Sequence, residues 1–163
     1  MNSLFSTHKR LGMAALLVFL TASAIPAQDV KVFKGAYDGR EVDTPQGGSL
    51  LVNGSADGTA SNVGRFTYTW QVTVDIATGL SSGGVFRLVA ANNDVIHGSF
   101  VGLGTPTEVP NVAHIVELVV ITGGTGRFQG ATGNLTLDRF VDLTTGKTSG
   151  SLNGTISTPG SNE

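Results

Sequence analysis

Between residues 65 and 74 the chain alternates without a break. Phe66, Tyr68, Trp70, Val72 and Val74 are apolar, and Arg65, Thr67, Thr69, Gln71 and Thr73 between them are polar. A period of two puts the first set on one face of a β-strand and the second set on the other. Shorter runs rich in β-branched residues occupy 30–33, 49–53, 84–91, 95–101, 112–122, 134–141 and 151–156. With the aromatic strand, the pattern predicts eight strands. Asp38-Gly39, Gln46-Gly47-Gly48, Asp57-Gly58 and Asn92-Asn93-Asp94 read as turns between them. No window after residue 28 keeps a helical period. Eight antiparallel strands with short connections predict an all-β fold, an eight-stranded antiparallel up-and-down barrel, which closes the sheet and removes its edges.

The first residues follow a different pattern. Lys9 and Arg10 precede an apolar run over 11–20, which is followed by the small residues Thr21, Ala22, Ser23 and Ala24. This is the pattern of a cleaved signal peptide, and the run is shorter than the roughly 20 residues of a membrane-spanning helix. Cleavage after Ala24 or after Ala27 fits the small-residue rule, and Ala27 is favoured because it leaves Gln28 at the new terminus. The division is therefore a signal peptide over 1–27 and one barrel domain over 28–163. The product is expected to be secreted or periplasmic, with no membrane attachment after cleavage.

Composition narrows the function classes. Charged residues are 13% of the chain, about half the usual share, and 23 glycines stand among 163 residues. The formal charge is −2; the signal peptide takes two of the ten basic residues and none of the twelve acids, leaving −4. Such a surface does not neutralise phosphates, so no nucleic-acid partner is expected. With no cysteine there is no disulfide and no thiolate metal site. Asn53, Asn134 and Asn153 lie in Asn-x-Ser/Thr acceptors, which matter only where secreted proteins are glycosylated.

Two local patterns carry structural expectations. The segment 75–83 (DIATGLSSG) matches 142–150 (DLTTGKTSG) at Asp, Thr, Gly, Ser and Gly, which predicts two hairpins of one type. Neither copy has the alternating acidic ligands and closing glutamate of a calcium loop. The strand 112–121 is apolar on both faces apart from His114 and Glu117. A solvated barrel wall does not need that, so a subunit interface is expected on its outside, with packing by the N-terminal segment as the alternative.

The segment 121–133, ITGGTGRFQGATG, resembles the Gly-rich stretch of the allene oxide cyclase and dirigent barrels, and Asn62-Val-Gly-Arg-Phe-Thr67 and Leu152-Asn-Gly-Thr-Ile-Ser157 resemble their bacterial relatives. The resemblance spans residues 50–157. It implies an eight-stranded barrel with an apolar lumen, often trimeric. Cyclases of this group isomerise a fatty-acid epoxide, and dirigent proteins steer the coupling of phenoxy radicals.

Candidate chemistry is sparse. The loop 123–126 leads into a strand, without the Gly-Lys-Ser/Thr helix of a phosphate loop or the βαβ unit of a dinucleotide site, so it reads as a chain reversal that could carry Arg127 to the barrel mouth. His97 and His114 lie on different strands, which argues against zinc, and no nucleophile elbow is present. No metal, cofactor or catalytic residue is assigned. The aromatic face predicts a lumen lined by Phe66, Tyr68, Trp70 and Val72 that takes a small apolar or phenolic molecule. Alternatives are an isomerase or cyclase using the same pocket, and a structural barrel without ligand. Glu117 lies between apolar Ile115 and Val119. Pairing it directly with Arg139 places Ile121, Val119 and Ile115 opposite Leu135, Leu137 and Val141 on one face, and Leu118, Val116 and His114 opposite Asp138, Phe140 and Asp142 on the other. That register makes Glu117 and Arg139 a luminal pair, either a polar anchor for a ligand hydroxyl or carboxylate or a structural ion pair.

Overall fold

The computed structural model describes residues 28–159. Eight antiparallel strands close on themselves in chain order: β1 (Gln28–Gln46), β2 (Ser49–Ala60), β3 (Gly64–Asp75), β4 (Ser81–Ala90), β5 (Val95–Pro106), β6 (Val112–Gly124), β7 (Thr132–Asp142) and β8 (Lys147–Pro159), with β8 paired to β1. One short 3-10 turn, Gly126–Phe128, is the sole helical element among the described residues. The proposed signal peptide lies outside them.

The alternation read from β3 holds. Phe66, Tyr68, Trp70 and Val72 are buried, and Arg65, Thr67, Thr69 and Gln71 between them are exposed. Two expected turns, however, are the middles of strands. Asp38 and Asp57 stand directly opposite each other in β1 and β2, with Gly39 and Gly58 beside them. The reason is the lumen. An eight-stranded barrel has too little interior for a large side chain at every inward position, and glycine supplies the missing space. Gly54 faces Trp70, Gly58 faces Phe66, Gly98 faces Phe86 and Gly84 faces Phe100 across the ladder. A Cβ at Gly58 would come 2.5 Å from the Phe66 ring and one at Gly98 2.9 Å from the Phe86 ring. Of the two glycines read as turns that lie within strands, Gly58 is therefore paired with luminal bulk, and Gly39 stands opposite Ala56.

The resulting interior is dense. Phe33, Leu88, Ile96, Ile121, Leu137 and Ile156 are fully buried around the barrel. Tyr37, Tyr68, Trp70 and Phe86 form a ladder of rings with centroids 5.1–6.3 Å apart. The aromatic face thus packs largely against itself.

Both repeated hairpins form as expected, at equivalent places in β3–β4 and β7–β8. Asp75 Oδ1 accepts from the Thr78 N–H and hydroxyl, each at 2.8 Å, and Asp142 Oδ1 accepts from the Thr144 and Thr145 N–H groups at 2.8 and 3.1 Å. Gly79 and Gly146 have φ of 71° and 69°, and each donates its N–H back to the aspartate carbonyl. Their own carbonyls accept from the next strand, Gly79 from Gly104 N–H at 2.9 Å and Gly146 from Glu41 N–H at 2.8 Å.

The register between β6 and β7 differs from the expected one by two residues. Glu117 stands opposite Leu137, and Ile115 opposite Arg139. A shift of two keeps every side chain on its face, so alternation does not discriminate between these registers. The loop decides. Gly123 and Gly124 continue β6 and pair with His97 and Ile96, and the reversal comes later, at Gly126 and Gly130, both with positive φ. On the outside the shift sets His114 opposite Phe140, Val116 opposite Asp138 and Leu118 opposite Thr136. His114 stacks on Phe140 at 4.8 Å and bonds Asp138 at 2.9 Å instead of meeting Asp142.

Candidate functional site

The four connections at 46–49, 75–81, 106–112 and 142–147 share one end of the barrel, and a cavity of about 650 Å³ opens between them. Strand residues Leu50, Val52, Val74, Ile115 and Val141 give it apolar walls, and Glu41, Asp43 and Arg139 give it polar ones. Leu143 and the turns at 75–79 and 104–113 form its rim.

At the inner end of the cavity is a buried charge cluster. Arg139 Nη1 donates to Glu41 Oε2 at 2.6 Å and to the Thr148 hydroxyl at 3.3 Å, and Arg139 Nη2 donates to Glu117 Oε1 at 3.3 Å. Glu41, Glu117 and Arg139 are 8%, 3% and 3% exposed. The guanidinium also lies over the Trp70 ring at 5.6 Å. Neighbouring glycines make room for these side chains: a Cβ at Gly102 would come 2.7 Å from Glu117 Cγ, and one at Gly150 2.6 Å from Arg139 Cβ.

Burial and charge oppose each other here. Desolvation pushes the Glu41 and Glu117 carboxyls above the usual range, and Arg139 draws both part of the way back. Burial alone would lower the Arg139 pKa, but the two glutamates beside it push it up, so it stays a cation. One cation faces two carboxylates, so the cluster carries an excess negative charge unless a carboxyl holds a proton. Desolvation likewise raises the Tyr37 and Tyr68 phenols. The Tyr37 hydroxyl and Trp70 Nε1 are buried without a hydrogen-bond partner among the described residues.

Glu117 and Arg139 therefore meet inside the barrel, on a diagonal and not directly across. Arg139 reaches the cavity, whereas Glu117, Phe66, Tyr68, Trp70 and Val72 lie in the packed interior. Glu41 and Asp43 do not stand out in the sequence, because the run that signals β1 covers only 30–33 and stops short of both. The run Phe33, Gly35, Tyr37, Gly39, Glu41 has a period of two once glycine is counted as an inward residue. Arg127 sits at the opposite end of the barrel from the cavity. It ties loops together through the Val63 carbonyl at 2.7 Å and Asp94 at 3.5 Å, and lies over Phe128. No group of three or more His, Cys, Asp or Glu among the described residues could hold a metal ion.

Comparison of the chain with protein-family models, with curated proteins and with solved structures finds no match in any of the three.

Proposed function

We propose that this is an exported β-barrel, similar to the allene oxide cyclase and dirigent barrels, that binds a small apolar or phenolic molecule at the open end of its lumen. The observation that carries the reading is the cavity of about 650 Å³, apolar along its walls and ending on the Glu41–Arg139–Glu117 cluster. Its size and its mixture of apolar walls with a few convergent polar groups suit a small-molecule site. The ligand sits above the packed ring ladder, with its polar end toward Arg139 and Glu41. Mass spectrometry of small molecules that copurify with the protein, followed by titration of the recovered compound against Trp70 fluorescence, tests this. A bound compound displaced by Val52→Trp, which fills the cavity, is the expected result. A protein that carries nothing and gives no response to a panel of phenolics and aliphatic alcohols would leave a structural barrel.

Glu41 favours a second reading, an isomerase or cyclase working in the same cavity. It is a buried carboxyl with a raised pKa that lines the space where a substrate would sit, which suits proton transfer. Turnover lost in Glu41→Gln while binding persists would select this reading.

Self-association, as a trimer on the family resemblance, belongs to the same proposal. Val101, Leu103, Leu118, Val120 and Phe140 are all exposed on the outer faces of adjoining strands β5, β6 and β7. The outer faces of β2 and β3 carry Asn53, Ser55, Thr67, Thr69 and Gln71 instead. An apolar patch across these three strands supports a subunit contact there.

A further inference from the structure

The lining of the cavity bears on the polar end of its occupant. Arg139 is the one cationic residue that lines it, and the guanidinium is already committed: Nη1 to Glu41 and Thr148, Nη2 to Glu117. Glu41 and Asp43 line the same space, and Asp75 lies at its rim. Glu41 lines the cavity and accepts from Arg139 through Oε2 alone among the described residues, which leaves its second oxygen as an acceptor not taken by the guanidinium. Asp43 makes no side-chain hydrogen bond among the described residues and stands two residues along β1, on the same inward side. A ligand carboxylate entering this space would meet two or three acids and no uncompensated cation. A ligand cation would meet acceptors whose charge Arg139 does not fully offset. The apolar walls beside these acids suit an organic cation that carries an apolar tail.

We infer that the cavity selects small amphipathic molecules ending in an organic cation, such as a protonated amine, over those ending in a carboxylate. The inference rests on the reading of this cavity as the ligand site and names the ligand class that site prefers. Glu41 receives the ammonium N–H groups, Asp43 adds charge at the rim, and Leu50, Val52, Val74 and Ile115 hold the apolar tail.

The test is calorimetric titration of the full barrel domain with hexylammonium, hexanoate and hexanol, which share a tail and differ in the end group. Hexylammonium is expected to bind about tenfold or more tightly than either of the others, a difference of about 1.4 kcal/mol. Asp43→Asn, at the exposed rim where folding is not at risk, is expected to reduce that preference, and Glu41→Gln to abolish it. Hexanoate binding most tightly, or hexanol matching hexylammonium, would overturn the inference and leave the site reading intact. A preference for hexylammonium unchanged in both variants would overturn it as well. No binding by any of the three would overturn the site reading and the inference together.

Discussion

Removing the guanidinium of Arg139 probes the charge cluster most directly. Arg139→Met keeps an unbranched side chain of similar length in the lumen and takes away the one cation between Glu41 and Glu117. Both ion pairs are buried, with side chains 3–4% exposed, so solvent screens them little. Breaking a buried pair by deleting one partner costs about 3–5 kcal/mol, because it leaves charge without compensation. The loss depends on pH with a definite sign. Burial already raises both carboxyls above their ordinary value, and Arg139 is what lowers them. A carboxyl raised on folding contributes stability that is fully present below its unfolded value and is lost as pH rises through its folded value. Without Arg139 both rise further, so the variant suffers most at neutral and alkaline pH and recovers as acid neutralises the carboxyls. Each pH unit over which one carboxyl binds a proton only in the folded chain is worth about 1.4 kcal/mol. Two such groups offset a 3–5 kcal/mol loss over roughly one to two units. Urea unfolding followed by Trp70, the chain's single tryptophan, should therefore show a large fall in midpoint at about pH 8 and a small one at about pH 5, with an unchanged slope. An equal fall at both pH values, or a larger one in acid, would refute this electrostatic account.

Two further outcomes follow from packing and from the outer wall. Gly54→Ala places a methyl group onto the Trp70 indole and is expected to cost about 1–3 kcal/mol in urea unfolding, whereas Gly48→Ala, with nothing within 4 Å, should stay within about 0.5 kcal/mol. Leu118→Lys, on the exposed apolar face of β6, is expected to convert an assembled species to monomer in analytical ultracentrifugation without moving the unfolding midpoint of the monomer; a wild-type protein that is already monomeric at high concentration would remove the case for an interface.

The barrel itself was legible because alternation is a local consequence of strand geometry, clearest at Phe66, Tyr68, Trp70 and Val72. Strand lengths were less so. Asp38-Gly39 and Asp57-Gly58 have the composition of turns and became mid-strand positions, because a residue with no side chain can answer a positive φ, a bulky partner such as Phe66 opposite Gly58, or a close backbone approach such as that of Ser55 and Ala56 to Gly39. Nothing local separates these uses. That ambiguity hid the second half of β1 and with it Glu41, the closest partner of Arg139 at 2.6 Å. The meeting of Glu117 with Arg139 was accessible because it needed only the correct face. The exact register was set by where Gly126 and Gly130 reverse the chain, a property of the loop and not of the strands.

The two matching hairpins have an architectural consequence. They lie four strands apart in a ring of eight, and each reaches over to the strand that begins the other half: Gly79 in β3–β4 holds Gly104 of β5, and Gly146 in β7–β8 holds Glu41 of β1. The molecule is thus two half-barrels, β1–β4 and β5–β8, joined along two seams, and each seam is fastened by the other half's copy of one latch. The latch at the β8–β1 seam also fixes the backbone of the residue whose carboxylate meets Arg139, so a glycine in an exposed turn sets the position of a charge inside the barrel.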